Sequence, residues 1–281
     1  MKKYLIVFSA MITVALLAGC SKKTVKTDEK DFSSTYYLTN DTTKGKLLVE
    51  LQVEIPSKFK NDTILRYIRS TVITNLFGEE YIKFSNDSVV NMFVADLKRD
   101  YVSDNLGFIQ SLSGVEQKRT SIYNEHNYQG YSLLSDENIY TYGIDKYVFM
   151  GGAHGMETRF FFNFNLHTGK LITESDLFVK NYTLPLSELI KKRIVEESKE
   201  DKDDDPIISL EDTDYWTESI KPNGNFYITD ESINYVFNPY EIAPYYMGET
   251  EVSLPFERLK GLMNDKNPIQ YLITKHLLQL K

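Results

Sequence analysis

Hydrophobic residues along this chain change their period twice. Leu47, Val49, Leu51, Val53 and Ile55 alternate with Leu48, Glu50, Gln52 and Glu54 until Pro56 stops the run, which predicts a strand with one buried face. Residues 36–39 are expected to pair with it across a turn at 40–45. Two helical stripes follow. Ile64, Leu65, Ile68, Val72 and Leu76 recur at helical spacing behind Asn61 or Asp62 as N-cap, with Gly78 as the stop. Val89, Val90, Phe93, Val94, Leu97 and Tyr101 do the same behind Ser85 or Asp87. From about Ser121 the period returns to two. Tyr140, Tyr142, Ile144, Tyr147 and Val148 lead to the pair Gly151-Gly152, and then Phe160, Phe162, Phe164 and Leu166 oppose Arg159, Asn163, Asn165 and His167, with Phe161 as the exception. This alternation predicts an antiparallel sheet with one wet face.

The remaining chain reads as a helix over about 184–198, an acidic run over 196–206, and strands at 226–229, 234–237 and 250–254 with a hairpin turn at 230–232. Two helices close it, one after Pro255 and one opened by Asn267-Pro268 as N-cap and first helical residue. Strands grouped with helices, without a βαβ rhythm, define an α+β class: antiparallel sheets with helices packed on one face, either one body or two α/β subdomains. A boundary is expected at 115–125, giving an N-terminal unit over 36–120 and a C-terminal unit over 121–281.

The N-terminus changes where this body is expected to reside. Lys2 and Lys3 precede an apolar stretch over 4–17, the pattern of a secretory signal and too short for a comfortable membrane span. Leu17-Ala18-Gly19-Cys20 resembles the lipobox of bacterial lipoproteins. That resemblance implies removal of residues 1–19, a diacylglycerol on Cys20 and attachment to a membrane through it. Polar, aperiodic residues 20–35 then read as a flexible tether. The expected location is extracytoplasmic; because Ser21-Lys22-Lys23 is basic, a diderm host would place the protein on the outer membrane, facing the periplasm. Cys20 is the only cysteine, so the mature chain has no thiol for catalysis, zinc or disulfides. The formal net charge is −8, falling to about −10 without Lys2 and Lys3. Nucleic-acid binding is disfavoured and a basic partner is favoured.

Candidate chemistry is sparse. His154 lies in Gly151-Gly152-Ala153-His154-Gly155, a sequence for a tight turn or for a loop that lets a ligand approach the backbone. Glu157 follows, but no second His and carboxylate at matching spacing make a metal pair. Asp201, Asp203 and Asp205 begin a calcium-loop pattern that Pro206 and Asp212 break where Gly and Glu are needed. The segment 238–248 concentrates Tyr240, Tyr245 and Tyr246 between two prolines. Such rings either plug the end of a sheet or present a flat apolar face with a hydrogen-bonding tip to a protein or a sugar. Serine-hydrolase, zinc-protease, phosphate-loop and dinucleotide motifs do not occur, so neither enzyme activity, metal nor cofactor is expected.

Three segments carry a family resemblance: residues 151–178 (GGAHGMETRFFFNFNLHTGKLITESDLF), residues 226–263 with Asn238-Pro239-Tyr240-Glu241-Ile242-Ala243-Pro244-Tyr245 ahead of Gly248, and more loosely the strand–helix–helix region over 36–120. Together they resemble the extracytoplasmic domains of RsiV-type anti-sigma factors and PdaC-type peptidoglycan deacetylases, with 36–120 the PdaC-like part and 121–281 the RsiV-like part. The resemblance implies an envelope-binding module, since the anti-sigma members sense lysozyme by direct binding and the deacetylases carry the region beside a separate catalytic domain. The expected function is a lipid-anchored, non-catalytic envelope protein that binds lysozyme or a peptidoglycan-related partner. The alternatives are an enzyme acting on cell-wall glycan or peptide, and an accessory subunit docked on another envelope protein.

Overall fold

A computed structural model describes residues 24–112, 114–119, 121–200 and 209–280. The expected signal segment, Cys20 and the aspartates of the calcium-like run lie outside the described residues. In chain order the regular elements are β1 (Lys26–Tyr37), β2 (Gly45–Lys58), α1 (Asp62–Leu76), α2 (Val89–Ser111), α3 (Gly114–Arg119), β3 (Ile122–Ser135), β4 (Ile139–Phe149), β5 (Met156–Asn165), α4 (Glu174–Leu177), α5 (Thr183–Glu200), β6 (Phe226–Ile228), β7 (Ser232–Phe237), β8 (Thr250–Pro255), α6 (Phe256–Leu259) and α7 (Gln270–Gln279). Strands β1 to β5 form one sheet in that order, and β6-β7-β8 form a second.

The alternating residues of β2 bury as their period requires, and the stripes of α1 and α2 cover that face of the first sheet. Asn61 caps α1, its side chain accepting the backbone N–H of Thr63 and Ile64. The start of α2 differs from expectation. Ser88 is the N-cap without a side-chain bond, and Asp87 instead takes an ion pair from Lys30 at 2.7 Å.

Four further expectations need correction. Residues 26–35 are not tether but most of edge strand β1, paired with β2 from Lys26 to Tyr37. Their polar composition hides this because the inward polar side chains find partners of their own: Asn86 donates to Asp28 at 2.9 Å, and Lys30 meets Asp87. The sheet is not wholly antiparallel, since β2 and β3 pair in parallel through the crossover α1–α3. The boundary expected near 120 therefore ends a crossover whose two ends enter one sheet. The division in space follows two cores instead, one gathering side chains from Val25 to Leu166 and the other from Ile139 to Ile273. Lastly, α7 begins at Gln270, because Asn267 caps a separate turn by accepting Ile269 N–H at 3.0 Å.

The second face of β4 and β5 is not wet. Tyr140, Tyr142, Phe162 and Phe164 pack into the first core, while Ile139 enters the second and Phe161 and Asn163 are buried beside it. Strand β5 is the sheet's last strand, and side-chain amides and residues 170–172 meet outward backbone groups at Arg159, Phe161, Asn163 and Asn165. Arg159 N–H donates to Asn238 Oδ1 at 2.6 Å, and its carbonyl accepts Asn238 Nδ2 at 3.1 Å and Asn225 Nδ2 at 2.8 Å. Phe161 N–H donates to Asn225 Oδ1 at 3.1 Å, and residues 170–172 complete the edge through Ile172 N–H to Asn163 O at 2.7 Å and Asn165 N–H to Lys170 O at 2.9 Å. The Asn163 side chain, 3% exposed, crosses the seam: it donates to Phe226 O at 2.7 Å and accepts Ile228 N–H at 3.2 Å and Thr141 Oγ1–H at 2.9 Å.

Replacing Asn163 by Leu keeps the branched shape but strands three buried polar groups, at roughly 1–3 kcal/mol for each buried group left unpaired. Urea denaturation of N163L should show a loss of about 3 kcal/mol; a loss below about 0.5 kcal/mol would mean the seam does not depend on this amide.

Candidate functional site

The two loops singled out in the sequence meet at one end of the seam. The 151–155 turn joins β4 to β5, and both glycines at its start adopt positive φ, +93° at Gly151 and +97° at Gly152. The 238–248 loop leaves β7 and returns toward β8. Their rings stack: His154 lies 3.7 Å from Tyr245 between centroids, with the planes 18° apart, and Tyr240 packs on Tyr245 at 5.5 Å. One backbone oxygen organises the contact. The Gly155 carbonyl accepts the Tyr245 hydroxyl at 2.8 Å and lies 3.0 Å from His154 Nδ1, which carries the proton there. A side chain at 155 would have to displace the Tyr147 ring, since a Cβ there would come within 2.4 Å of it.

Tyr240 holds φ +72° although it is not glycine, and it is 49% exposed. A side chain there costs about 1 kcal/mol. Tyr246 does not join the stack. It is 71% exposed and its hydroxyl donates to Asp214, in a segment that also carries the exposed Trp216 and is tied to the loop by Trp216 N–H to Ile242 O at 2.7 Å. Thus His154, Tyr240 and Tyr245 form one cluster, and Tyr246 extends the aromatic surface to one side.

Residues that the sequence did not single out as site candidates hold the loop. Asn238 is buried and anchors its start on Arg159; its Nδ2 also reaches Glu241 Oε1 at 3.3 Å. At the far end Glu249 accepts Arg159 Nη1–H at 2.5 Å. The same guanidinium donates to Asp145 at 3.1 Å, Glu251 at 3.3 Å and the Tyr131 hydroxyl at 3.3 Å, while Tyr131 donates to Asp145 at 2.9 Å and Tyr227 donates to Glu251. One cation thus faces three carboxylates. Burial opposes the charge on Arg159, but Tyr131, Asp145 and Glu249 outweigh it and hold the guanidinium protonated. Each acid sees only part of that one charge, so burial wins at Asp145 and Glu249 and lifts both above their ordinary range. In the sequence Arg159 is only one polar position of the β5 alternation, and nothing near it points to Glu249 and Glu251, 90 and 92 residues away.

A cavity of about 330 Å³ opens elsewhere on the seam, between Phe161, Phe162 and Phe226 on one side and Thr173, Glu174 and Tyr182 on the other. None of the four candidate residues lines it. Among the described residues no group of three or more His, Cys, Asp or Glu is arranged to hold a metal ion, and no helix is long and apolar enough to cross a membrane. The aromatic cluster offers flat faces and oriented hydroxyls, which suit stacking and hydrogen bonding.

Two measurements test this geometry. In Y240G the relieved backbone strain, about 1 kcal/mol, offsets a ring contact of similar size, so its thermal stability should stay within about 0.5 kcal/mol of the parent chain. A much larger loss would mean that the ring supports the core. For the acids the folded chain keeps protons on Asp145 and Glu249 to higher pH than the unfolded chain does. The cluster therefore lowers stability as pH rises through that window. E249Q, which stays neutral, should gain stability relative to the parent as pH rises above the ordinary carboxylate range, about pH 4, in urea titrations. A constant difference would contradict the raised carboxyl.

Comparison with known proteins adds the family. Residues 175–257, which include the 238–248 loop but not His154, match the family described as "Protein of unknown function (DUF3298)". The chain is 23% identical over 218 residues to the peptidoglycan-N-acetylmuramic acid deacetylase PdaC of Bacillus subtilis, covering 76% of this chain and 44% of that protein. It is 30% identical over 166 residues to the anti-sigma-V factor RsiV of the same organism, covering 56% of this chain and 53% of RsiV. The chain thus spans about half the length of these relatives. A crystal structure of a DUF3298 family member from Bacteroides fragilis superposes with a TM-score of 0.77 at 24% identity, covering 90% of this chain and 100% of that one. Another from Pseudomonas aeruginosa gives 0.54 at 16% identity, covering 86% and 97%. Both share the fold. Residues 175–257 thus carry the DUF3298 match, and the chain is similar there and beyond to the RsiV-like and PdaC-like domains.

Proposed function

We infer that this chain is a lipid-anchored, extracytoplasmic binding protein, and that it grips lysozyme with the aromatic surface formed by the 151–155 turn and the 238–248 loop. The reading is carried by the stack of His154 on Tyr245, with Tyr240 beside it. Two loops distant in sequence place partly exposed rings together and tie them to one carbonyl. Preformed aromatic anchors are the groups that dominate protein interfaces, since a ring fixed in advance loses little freedom on binding.

Two further observations support the partner. The chain matches an anti-sigma factor and a peptidoglycan deacetylase, and lysozyme is the ligand that the family resemblance implies. Its net charge of −8 favours a basic protein, and that attraction would raise the association rate more than the affinity. The anchor at Cys20 follows from the lipobox and fixes the binding surface near a membrane. The same rings would stack on a sugar, so peptidoglycan is the alternative ligand.

Calorimetry of lysozyme against the chain starting at residue 21 should give saturable heat at roughly micromolar concentrations in low salt. Y245A and H154A should each weaken binding about tenfold or more while leaving the fold intact. Absence of heat would remove lysozyme as the partner, and retained heat in both variants would move the contact off this surface. Soluble peptidoglycan fragments in the same cell test the alternative.

A further inference from the structure

We propose that Arg159 is the positioning residue of the aromatic surface: it pins both stems of the 238–248 loop to β5 and so sets the His154–Tyr245 stack before any partner arrives. This rests on the reading of that stack as the binding surface.

The geometry is specific. The backbone of Arg159 holds the first stem through two bonds with the Asn238 amide, at 2.6 and 3.1 Å. Its guanidinium holds the second stem through Glu249 at 2.5 Å. The tie that holds the stacked ring, from the Tyr245 hydroxyl to Gly155 O, ends at the entrance of the same strand, while Trp216 N–H to Ile242 O and Tyr246 to Asp214 hold the loop from another side. Both the base of the loop and its ring are thus referenced to β5. The middle of the loop is held separately, with Ile242 and Ala243 buried, so the two stems set where Tyr240, in its left-handed conformation, and Tyr245 stand.

The guanidinium is itself aimed from several sides. Asp145 on β4 takes Nε–H, Tyr131 on β3 accepts from Nη2–H, and Glu251 on β8 shares Nη1–H with Glu249. The Tyr227 hydroxyl on β6 orients Glu251 in turn. A lysine ammonium carries its three donors on one nitrogen and cannot span Asp145, Tyr131 and the Glu249–Glu251 pair, which three separate guanidinium nitrogens reach here. This explains a cation among three carboxylates on a strand whose neighbours at the seam are otherwise neutral amides.

The chain has only four histidines, so selective histidine labelling of the full-length chain in detergent gives a spectrum simple enough to read. His154 ring protons should lie upfield from the Tyr245 ring current, and Y245A should abolish that displacement. In R159Q the displacement should be lost while His126, buried in the first half, and His276, packed on Phe256 in the second, keep their positions. R159K should show the same loss, and E249Q, which still accepts from the guanidinium, should retain the displacement. If R159Q fails to fold, E249A decides, because it removes the second-stem tie alone: loss of the His154 displacement supports the proposal. A His154 signal unchanged in folded R159Q, or in E249A where R159Q does not fold, overturns it. Lysozyme titration is the second readout. R159Q should bind about tenfold more weakly through faster dissociation. A parent chain that does not bind lysozyme would sink the binding reading, yet the ring displacement would still decide the role of Arg159.

Discussion

The structure depends on side-chain amides that take the place of a missing strand. An Asn side chain offers one acceptor and a pair of donors, enough to satisfy a neighbouring backbone N–H and C=O as another strand would. Along β5, Asn238 and Asn225 do this for Arg159 and Phe161, and Asn163 does the reverse, reaching out to the backbone of β6. A sheet edge left bare invites pairing with another chain; this edge is closed within the molecule. The closure also fixes the angle at which the second sheet meets the first, because discrete directional bonds define the seam where apolar packing alone would allow sliding.

The aromatic surface is a consequence of that seam. Asn238 serves twice, as the last amide sealing β5 and as the first residue of the loop that carries Tyr240 and Tyr245. The turn bearing His154 leads directly into β5. With the edge closed the two loops meet, and the Gly155 carbonyl takes the Tyr245 hydroxyl. Position, not composition, turns two ordinary loops into one surface.

How much of this could be read in the sequence follows from which forces are local. The stripes of β2, α1 and α2 were legible because burial imposes a period on neighbouring residues, and Asn61 because a cap acts over three residues. Strand β1 was not, since Asp28 and Lys30 are satisfied by Asn86 and Asp87, some 57 residues away. Parallel pairing of β2 and β3 was hidden because period two says which face is buried but nothing about strand direction. The aromatic alternation of β5 was read correctly for Phe162 and Phe164. Its polar face was misread as wet, since nothing near Asn163 announces Phe226 and Ile228 as partners. At the site, His154, Tyr240, Tyr245 and Tyr246 stood out by composition. Their grouping, with Tyr246 set apart beside Asp214, arises from contacts between residues 32 and 90 apart.

The seam and the loop also divide the energetic roles. Strain at Tyr240 and the burial of Asp145 and Glu249 near a single cation are unfavourable locally, and a chain selected only for stability would discard them. They persist because the sealed edge supplies a surplus of satisfied, buried hydrogen bonds on the adjoining strand. What the strain secures is order in advance: a tyrosine tied at its hydroxyl, stacked on a histidine and fixed at both loop stems has already lost the freedom that a partner would otherwise have to remove. Binding energy from contact with those rings would then appear as affinity instead of being consumed in arranging them.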